Sequence, residues 1–251
     1  MRTWATVCLL IAGLAGAETP LRREAEPRFA IDTTFQDKGG VQYFYTLVEP
    51  EAAAKDVTFQ LFRPFDVPDV WAKLEAPTHV VLSRLVYTVE KDVSFFNEAR
   101  VRDTRYINAV AKGMNVTRRE DGSFQVAAMP ANSFTIEYFD AAKLGQASGL
   151  MPAVQRVLEL TGVAESPVAI VFQHNRDFAR VFGMRTAAAG FTWTAHYPVG
   201  PGRTRLVVFT MSYLHTLPPF FLGGAKRVFR ESTDGARVLI DALRAYQPPP
   251  T

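Results

Sequence analysis

Cysteine is almost absent from this chain: Cys8 is the only one in 251 residues. It sits inside an N-terminal apolar run that reads as an export signal, so the expected mature chain has none. Disulfides, a thiol nucleophile and a thiolate-held metal are thereby excluded from the mature protein. Lipid attachment at Cys8 is excluded too, because Val7 precedes it and the apolar run continues past it. Histidine is scarce as well. His79, His174, His196 and His215 lie far apart, and no His-Glu-x-x-His occurs, so no metal site is expected. There is no Gly-x-Ser-x-Gly elbow. Gly200-Pro201-Gly202 reads as a hairpin turn and not as a phosphate loop, so no cofactor is expected. A one-signed charge excess is also missing, since 28 basic residues face 25 acidic ones. The arginines are scattered (Arg22-Arg23, Arg100, Arg102, Arg105, Arg118-Arg119, Arg203, Arg205). Nucleic-acid binding wants a concentrated basic stripe, and none is present.

What is present begins with that N-terminal run. Arg2 precedes an apolar stretch from Trp4 to Leu14, which ends in Ala15-Gly16-Ala17. This small-x-small pattern fits signal peptidase, so the first 17 residues read as a cleavable signal and the mature chain starts near Glu18. The run is about half the roughly 20 residues a membrane helix needs. No other segment is apolar enough to span, so no transmembrane segment is expected in the mature chain. The expected location is the periplasm or the extracellular space.

Local patterning points to an α+β fold: a curved antiparallel sheet of meander and hairpins packed on amphipathic helices, one of them C-terminal. Residues 18–40 read as a flexible arm and 41–247 as a single domain, with a sub-boundary near 145–165 as the alternative. Strands are expected over 41–48, 58–63 and 80–89, and a short helix over 67–76. Residues 100–107 alternate as a half-exposed strand. Segments 114–119 and 123–129 flank Asp121-Gly122, a pair suited to a tight hairpin turn. Pro130-Ala131-Asn132 reads as a second turn before a strand over 134–139. Helices are expected over 148–161 and 177–183, with a strand over 167–172 between them. A long hairpin follows, 188–197 and 203–214. Phe191, Trp193, Ala195 and Tyr197 share one of its faces, and Thr192, Thr194 and His196 the other, as in a sheet with one face in a core and one toward solvent or a cavity. The last helix is expected over 234–246, with Val238, Leu239, Ala242, Leu243 and Tyr246 on one stripe.

The stretch Phe59-Gln60-Leu61-Phe62-Arg63-Pro64-Phe65-Asp66-Val67-Pro68-Asp69-Val70-Trp71-Ala72-Lys73-Leu74 resembles the opening of START-like lipid-binding domains. The order strand 58–63, helix 67–76, meander 79–140, helix 148–161 is similar to their helix-grip arrangement. The resemblance covers under half of the chain and leaves residues 163–251 without a counterpart. It is a likeness of topology, from which function does not follow.

Three surfaces stand out. Gln173-His174-Asn175-Arg176-Asp177 is the densest polar cluster and follows an apolar strand. His174 and Asp177, with His196, are the candidates for general-base chemistry in an exported hydrolase. The plainer reading of that cluster is a strand-to-helix loop. Residues 214–224 form an apolar, Pro- and Gly-rich segment that suits a cavity lip or a contact for an envelope partner. Behind it, Lys226, Arg227 and Arg230 would meet an anion. The lack of catalytic motifs favours non-enzymatic binding of a lipid or other apolar ligand, with Phe191, Trp193, Tyr213, Phe220 and Phe221 lining or gating the site. An envelope interaction module is the first alternative and an exported hydrolase the second.

Overall fold

The computed structural model describes residues 19–22, 31–36, 39–48, 79–127, 129–146, 166–175, 179–181, 184–187, 189–214 and 224–248. Strands β1 (Thr19–Arg22), β2 (Ile31–Gln36), β3 (Gln42–Val48) and β4 (His79–Val89) pair in sequence order as an antiparallel meander. Two short helices follow, α1 (Glu98–Val101) and α2 (Thr104–Val110). A second meander comprises β5 (Val116–Arg118), β6 (Phe124–Val126) and β7 (Met129–Asp140), then helix α3 (Ala141–Gln146) and β8 (Ala169–Asn175). β9 (Ala179–Val181) and β10 (Met184–Ala187) form a separate two-stranded ribbon. β11 (Ala189–Gly200), β12 (Arg203–Leu214) and the long helix α4 (Gly224–Ala245) complete the chain.

Ten strands make one sheet in the order β1-β2-β3-β4-β12-β11-β8-β7-β6-β5, antiparallel throughout. The two meanders meet where β12 pairs with β4, from Thr204 opposite Val89 to Leu214 opposite His79. The fold is α+β, with helices including a C-terminal one. β7 and β8, which flank the expected sub-boundary near 145–165, are hydrogen-bonded neighbours.

This order decides where the helices go. β4 and β5 are consecutive in sequence but lie six strand spacings apart, roughly 29 Å. The connection must cross a sheet face, and it does so as α1 and α2. Asn97 and Asp103 start these helices, their carboxamide and carboxylate oxygens accepting from the backbone N–H groups of Arg100 and Arg105. Asn108 then clips α2 to β5: its side chain bonds both the N–H and the C=O of Val116.

The sheet is buried on both faces. Tyr43, Tyr45, Leu85, Tyr87, Leu206 and Ile136 face the helices and form the main core with Phe96, Val101, Phe229, Ile240 and Leu243. Leu82, Ile170, Phe172, Trp193, Val207, Phe209 and Met211 occupy the alternate positions and are buried as well. The helix α4 presents Phe229, Thr233, Ala236, Ile240 and Leu243 inward, a spacing of three and four residues.

Several expectations change. Residues 18–40 contain β1 and β2 at the sheet edge, where Phe35 pairs with Tyr43 on β3, so the described part of the expected arm is strand. Residues 100–107 belong to the two short helices and the Arg102-Asp103 break between them, because the two N-caps outweigh the alternation of Val101 and Ile107. Pro130-Ala131-Asn132 lies within β7 as a bulge: Gln125 pairs with Ser133, yet the next residue, Val126, pairs with Met129. Within 177–183 the described residues 179–181 are strand, not helix. The C-terminal helix starts ten residues before the expected 234, and Val238 is half-exposed, outside the buried stripe. Strand 58–63 and helices 67–76 and 148–161 lie outside the described residues. So do residues 1–18 apart from their sequence pattern. The meander expected over 79–140 is interrupted: β12, β11 and β8 stand between β4 and β7. These three strands come from the part of the chain without a START-like counterpart.

The hairpins match their sequence signals. Gly122 adopts φ 79° in the turn between β5 and β6. There the Arg119 N–H donates to the Ser123 carbonyl, and the Asp121 carboxylate accepts from the Ser123 N–H and hydroxyl. β11 and β12 pair from Ala189 opposite Tyr213 to Gly200 opposite Arg203, with an irregularity between Pro198 and Gly200.

Candidate binding pocket

Where the α1–α2 crossing and α4 lie over the sheet, their side chains leave a pocket of about 210 Å³. The helices contribute Phe96, Tyr106, Ile107 and Val110 from the crossing and Leu239 and Leu243 from α4. The sheet floor carries Phe134 and Ile136 on β7, Val171 and Gln173 on β8, Thr192, Thr194 and His196 on β11, and Leu206, Val208 and Thr210 on β12. Strand periodicity explains this membership, since alternate residues point to one face. Among the described residues the lining is mostly apolar and includes no Asp, Glu, Lys or Arg.

The polar members form two groups at different heights on the sheet, with Thr194 between them. At one end, Gln173, Thr192 and Thr210 are direct cross-strand neighbours on β8, β11 and β12. The Thr192 and Thr210 hydroxyl oxygens lie 3.3 Å apart. The row continues through Ser83 to Tyr45, whose hydroxyl contacts Thr233 of α4. At the other end sits His196, only 1% exposed, with its ring 4.9 Å from Phe96. Its Nδ1 is 3.3 Å from the Ala169 carbonyl oxygen. A carbonyl only accepts, so Nδ1 carries the hydrogen and Nε2 is an acceptor. Burial pulls the His196 pKa down to about 4, opposed by hydrogen bonds to the backbone at Ala169 and Thr194. The imidazole is therefore neutral at neutral pH.

Tyr87 and Tyr106 complete that end. Burial drives both phenols well above their ordinary range; the neighbouring Tyr106 raises Tyr87 further, and Tyr246 raises Tyr106. Both stay protonated and neutral. Tyr106 and Tyr246 meet edge to face at 5.2 Å, and Phe95 joins them at 6.0 Å from each. Arg100 and Lys91 lie over the Phe95 ring at 4.3 and 5.0 Å, which keeps their charges outside the pocket lining.

The residues singled out in the sequence divide between two places. His196 is in the pocket. His174 is on the opposite face, stacked on Phe172 with its Nε2 3.5 Å from the exposed Glu137 carboxylate. The two imidazoles are thus separated by the sheet, and Asp177 lies outside the described residues. Trp193 is also on the far face, packed edge to face on Phe172 at 5.0 Å. Phe191 holds the ladder position between His174 and Met211, and Tyr213 the one between Val80 and Ala189. Phe220 and Phe221 lie outside the described residues, as does most of 214–224. Lys226, Arg227 and Arg230 fall in the first turns of α4, with Arg230 exposed. Neither Arg227 nor Arg230 lines the pocket.

Sequence reasoning did not find Gln173 and Thr210 as partners of Thr192. The period-2 pattern placed Thr192, Thr194 and His196 on one face, but the cross-strand row follows from registers with β8 and β12 that no local signal encodes. Among the described residues, no cluster of three His, Cys, Asp or Glu could hold a metal ion, and no helix is long and apolar enough to cross a membrane. No family model, curated protein or solved structure matches this chain.

Proposed function

We propose that the protein is exported and binds a small apolar molecule in the pocket between the sheet and helices α2 and α4, without catalysing a reaction. The observation that carries this reading is the pocket itself: about 210 Å³, walled mostly by aliphatic and aromatic side chains, with no charged residue among the described residues that line it. A dry cavity of about 150 Å³ accommodates benzene, so this volume suits a single ring system or a chain of modest length. It is too small for a two-chain lipid. The reading takes the sheet as curved around the ligand. Neutral His196, Tyr87 and Tyr106 suit an apolar guest, and the separation of His174 from His196 gives the hydrolase alternative no shared site.

The test is extraction of the purified protein with organic solvent followed by mass spectrometry, together with melting curves in a panel of short-chain alcohols, phenols and fatty acids. A copurifying small apolar compound, or a saturable rise in Tm with one class, is expected. A clean extract with unchanged Tm across the panel would overturn the reading. Trp193 faces away from the pocket, so its emission is a poor reporter of binding.

A further inference from the structure

We infer that the pocket selects a neutral ligand with one hydroxyl or carbonyl-type head group, and that Gln173, Thr192 and Thr210 bind that head. This deepens the proposed binding function and rests on it. The rest of the face that lines the pocket is Ile136, Val171, Val208, Leu206 and aromatic side chains, with Thr194 and His196 as its other polar members. Across it the register sets Gln173, Thr192 and Thr210 side by side on three adjacent strands. Three polar side chains next to one another on an apolar wall are not needed to close the core; hydrophobic residues of similar size would do so.

Their chemistry fixes the class of guest. Thr192 and Thr210, with hydroxyl oxygens 3.3 Å apart, use one proton between them and keep the other, along with oxygen lone pairs. Gln173 adds an amide that both donates and accepts, and its side chain makes no hydrogen bond among the described residues. The row therefore offers donors and acceptors together, which matches an alcohol, phenol, ketone or amide. A carboxylate or ammonium would enter a lining whose described residues carry no counter-charge, and the desolvation of an unpaired ion is prohibitive. Neutral His196 cannot supply that charge, and it lies four residues from Thr192 along β11, roughly 13 Å away. Thr194, Val171 and Val208 lie between the two ends and would flank the apolar body.

The experiment uses a matched pair, n-octanol and octanoate, titrated into the full protein by calorimetry and followed by 1H–13C NMR of the Thr and Leu methyl groups. At neutral pH octanol is expected to bind at least tenfold more tightly than octanoate. Thr192→Val and Gln173→Leu should each weaken octanol by roughly three- to tenfold, the worth of one lost neutral hydrogen bond. Both variants should keep the far-UV spectrum and Tm of the parent; Thr210→Val is the alternative where either does not. Octanoate binding as tightly as octanol, or octanol affinity unmoved by Thr192→Val and Gln173→Leu in folded protein, overturns the head-group assignment while leaving an apolar pocket. Binding of neither probe, with unperturbed pocket methyls, overturns the binding function itself.

Discussion

Thr233 and Tyr45, 188 residues apart in sequence, join α4 to the sheet through hydroxyl oxygens 3.0 Å apart in the buried interior. Thr233 Oγ1 is also 2.9 Å from the Phe229 carbonyl oxygen one helical turn back. The carbonyl can only accept, so it takes the threonine proton and the Tyr45 phenol donates to Oγ1. Tyr45 stacks on Phe229 at 5.2 Å, so the polar link sits inside an aromatic contact. Thr233→Val should destabilise the protein by about 1–2 kcal/mol, because it removes the buried hydrogen bond to the Tyr45 phenol. Tyr45→Phe should cost about as much. The double variant should lose clearly less than the sum, which urea denaturation of the four proteins will show. A strictly additive cycle would mean the two groups are energetically independent.

His196 makes stability depend on pH. Its folded pKa is about 4 against an ordinary 6.5, so the unfolded chain takes up a proton that the folded one refuses. Stability is full above pH 6.5 and falls as pH drops from 6.5 toward 4, where the loss levels off. The span corresponds to about 3 kcal/mol. His196→Gln should flatten the slope of unfolding free energy over that interval. An unchanged slope in the variant would assign the pH dependence to other groups.

The two faces of the sheet should be separable by mutation. Trp193 is buried on the face opposite the pocket, against Phe172. Trp193→Phe leaves space behind and should destabilise by about 1–3 kcal/mol. It should not alter the affinity of any pocket ligand. Leu243→Ala acts from the pocket side: it should lower stability by about 2–5 kcal/mol and also change ligand affinity. Equal effects of both on affinity would contradict the division of faces.

Gly122 turns the β5–β6 hairpin at φ 79°, with only the end of the flexible Arg118 side chain, at 4.0 Å, near the place a Cβ would occupy. Space is thus no obstacle, and the cost of Gly122→Ala is backbone strain alone, about 1 kcal/mol. Gly122→Asn should cost less, since asparagine tolerates this region better. Thermal unfolding of the two variants gives the comparison, and equal losses would point to something other than the turn conformation.

The sequence was most legible where its signals are local. The hairpin over 188–214 shows its two faces in alternation, and Asp121-Gly122 directly marks the turn of the β5–β6 hairpin. Residues 98–110 misled because Val101 and Ile107 alternate as in a strand, while the deciding features are Asn97 and Asp103 as caps. The helix expected from 234 starts at Gly224, so Ser232, Thr233 and Asp234 are mid-helix and buried. The polar row was not legible at all. Gln173, Thr192 and Thr210 are ordinary strand residues until the registers of β8, β11 and β12 set them abreast.

The pairing of β12 with β4 also governs the order in which the chain can complete itself. Thr204 bonds the Lys91 carbonyl from 113 residues further along, at the head of that ladder. A chain that emerges from its N-terminus first has β4 long before its partner exists. Until residues 203–214 arrive, β4 offers one open edge of eleven residues, rich in valine and leucine, to any extended strand nearby. The N-terminal meander is therefore a sticky intermediate, and closure is late and non-local. A truncated chain ending before Arg203 should associate through β4, so the last long strand serves as the guard that keeps the first four from joining another molecule.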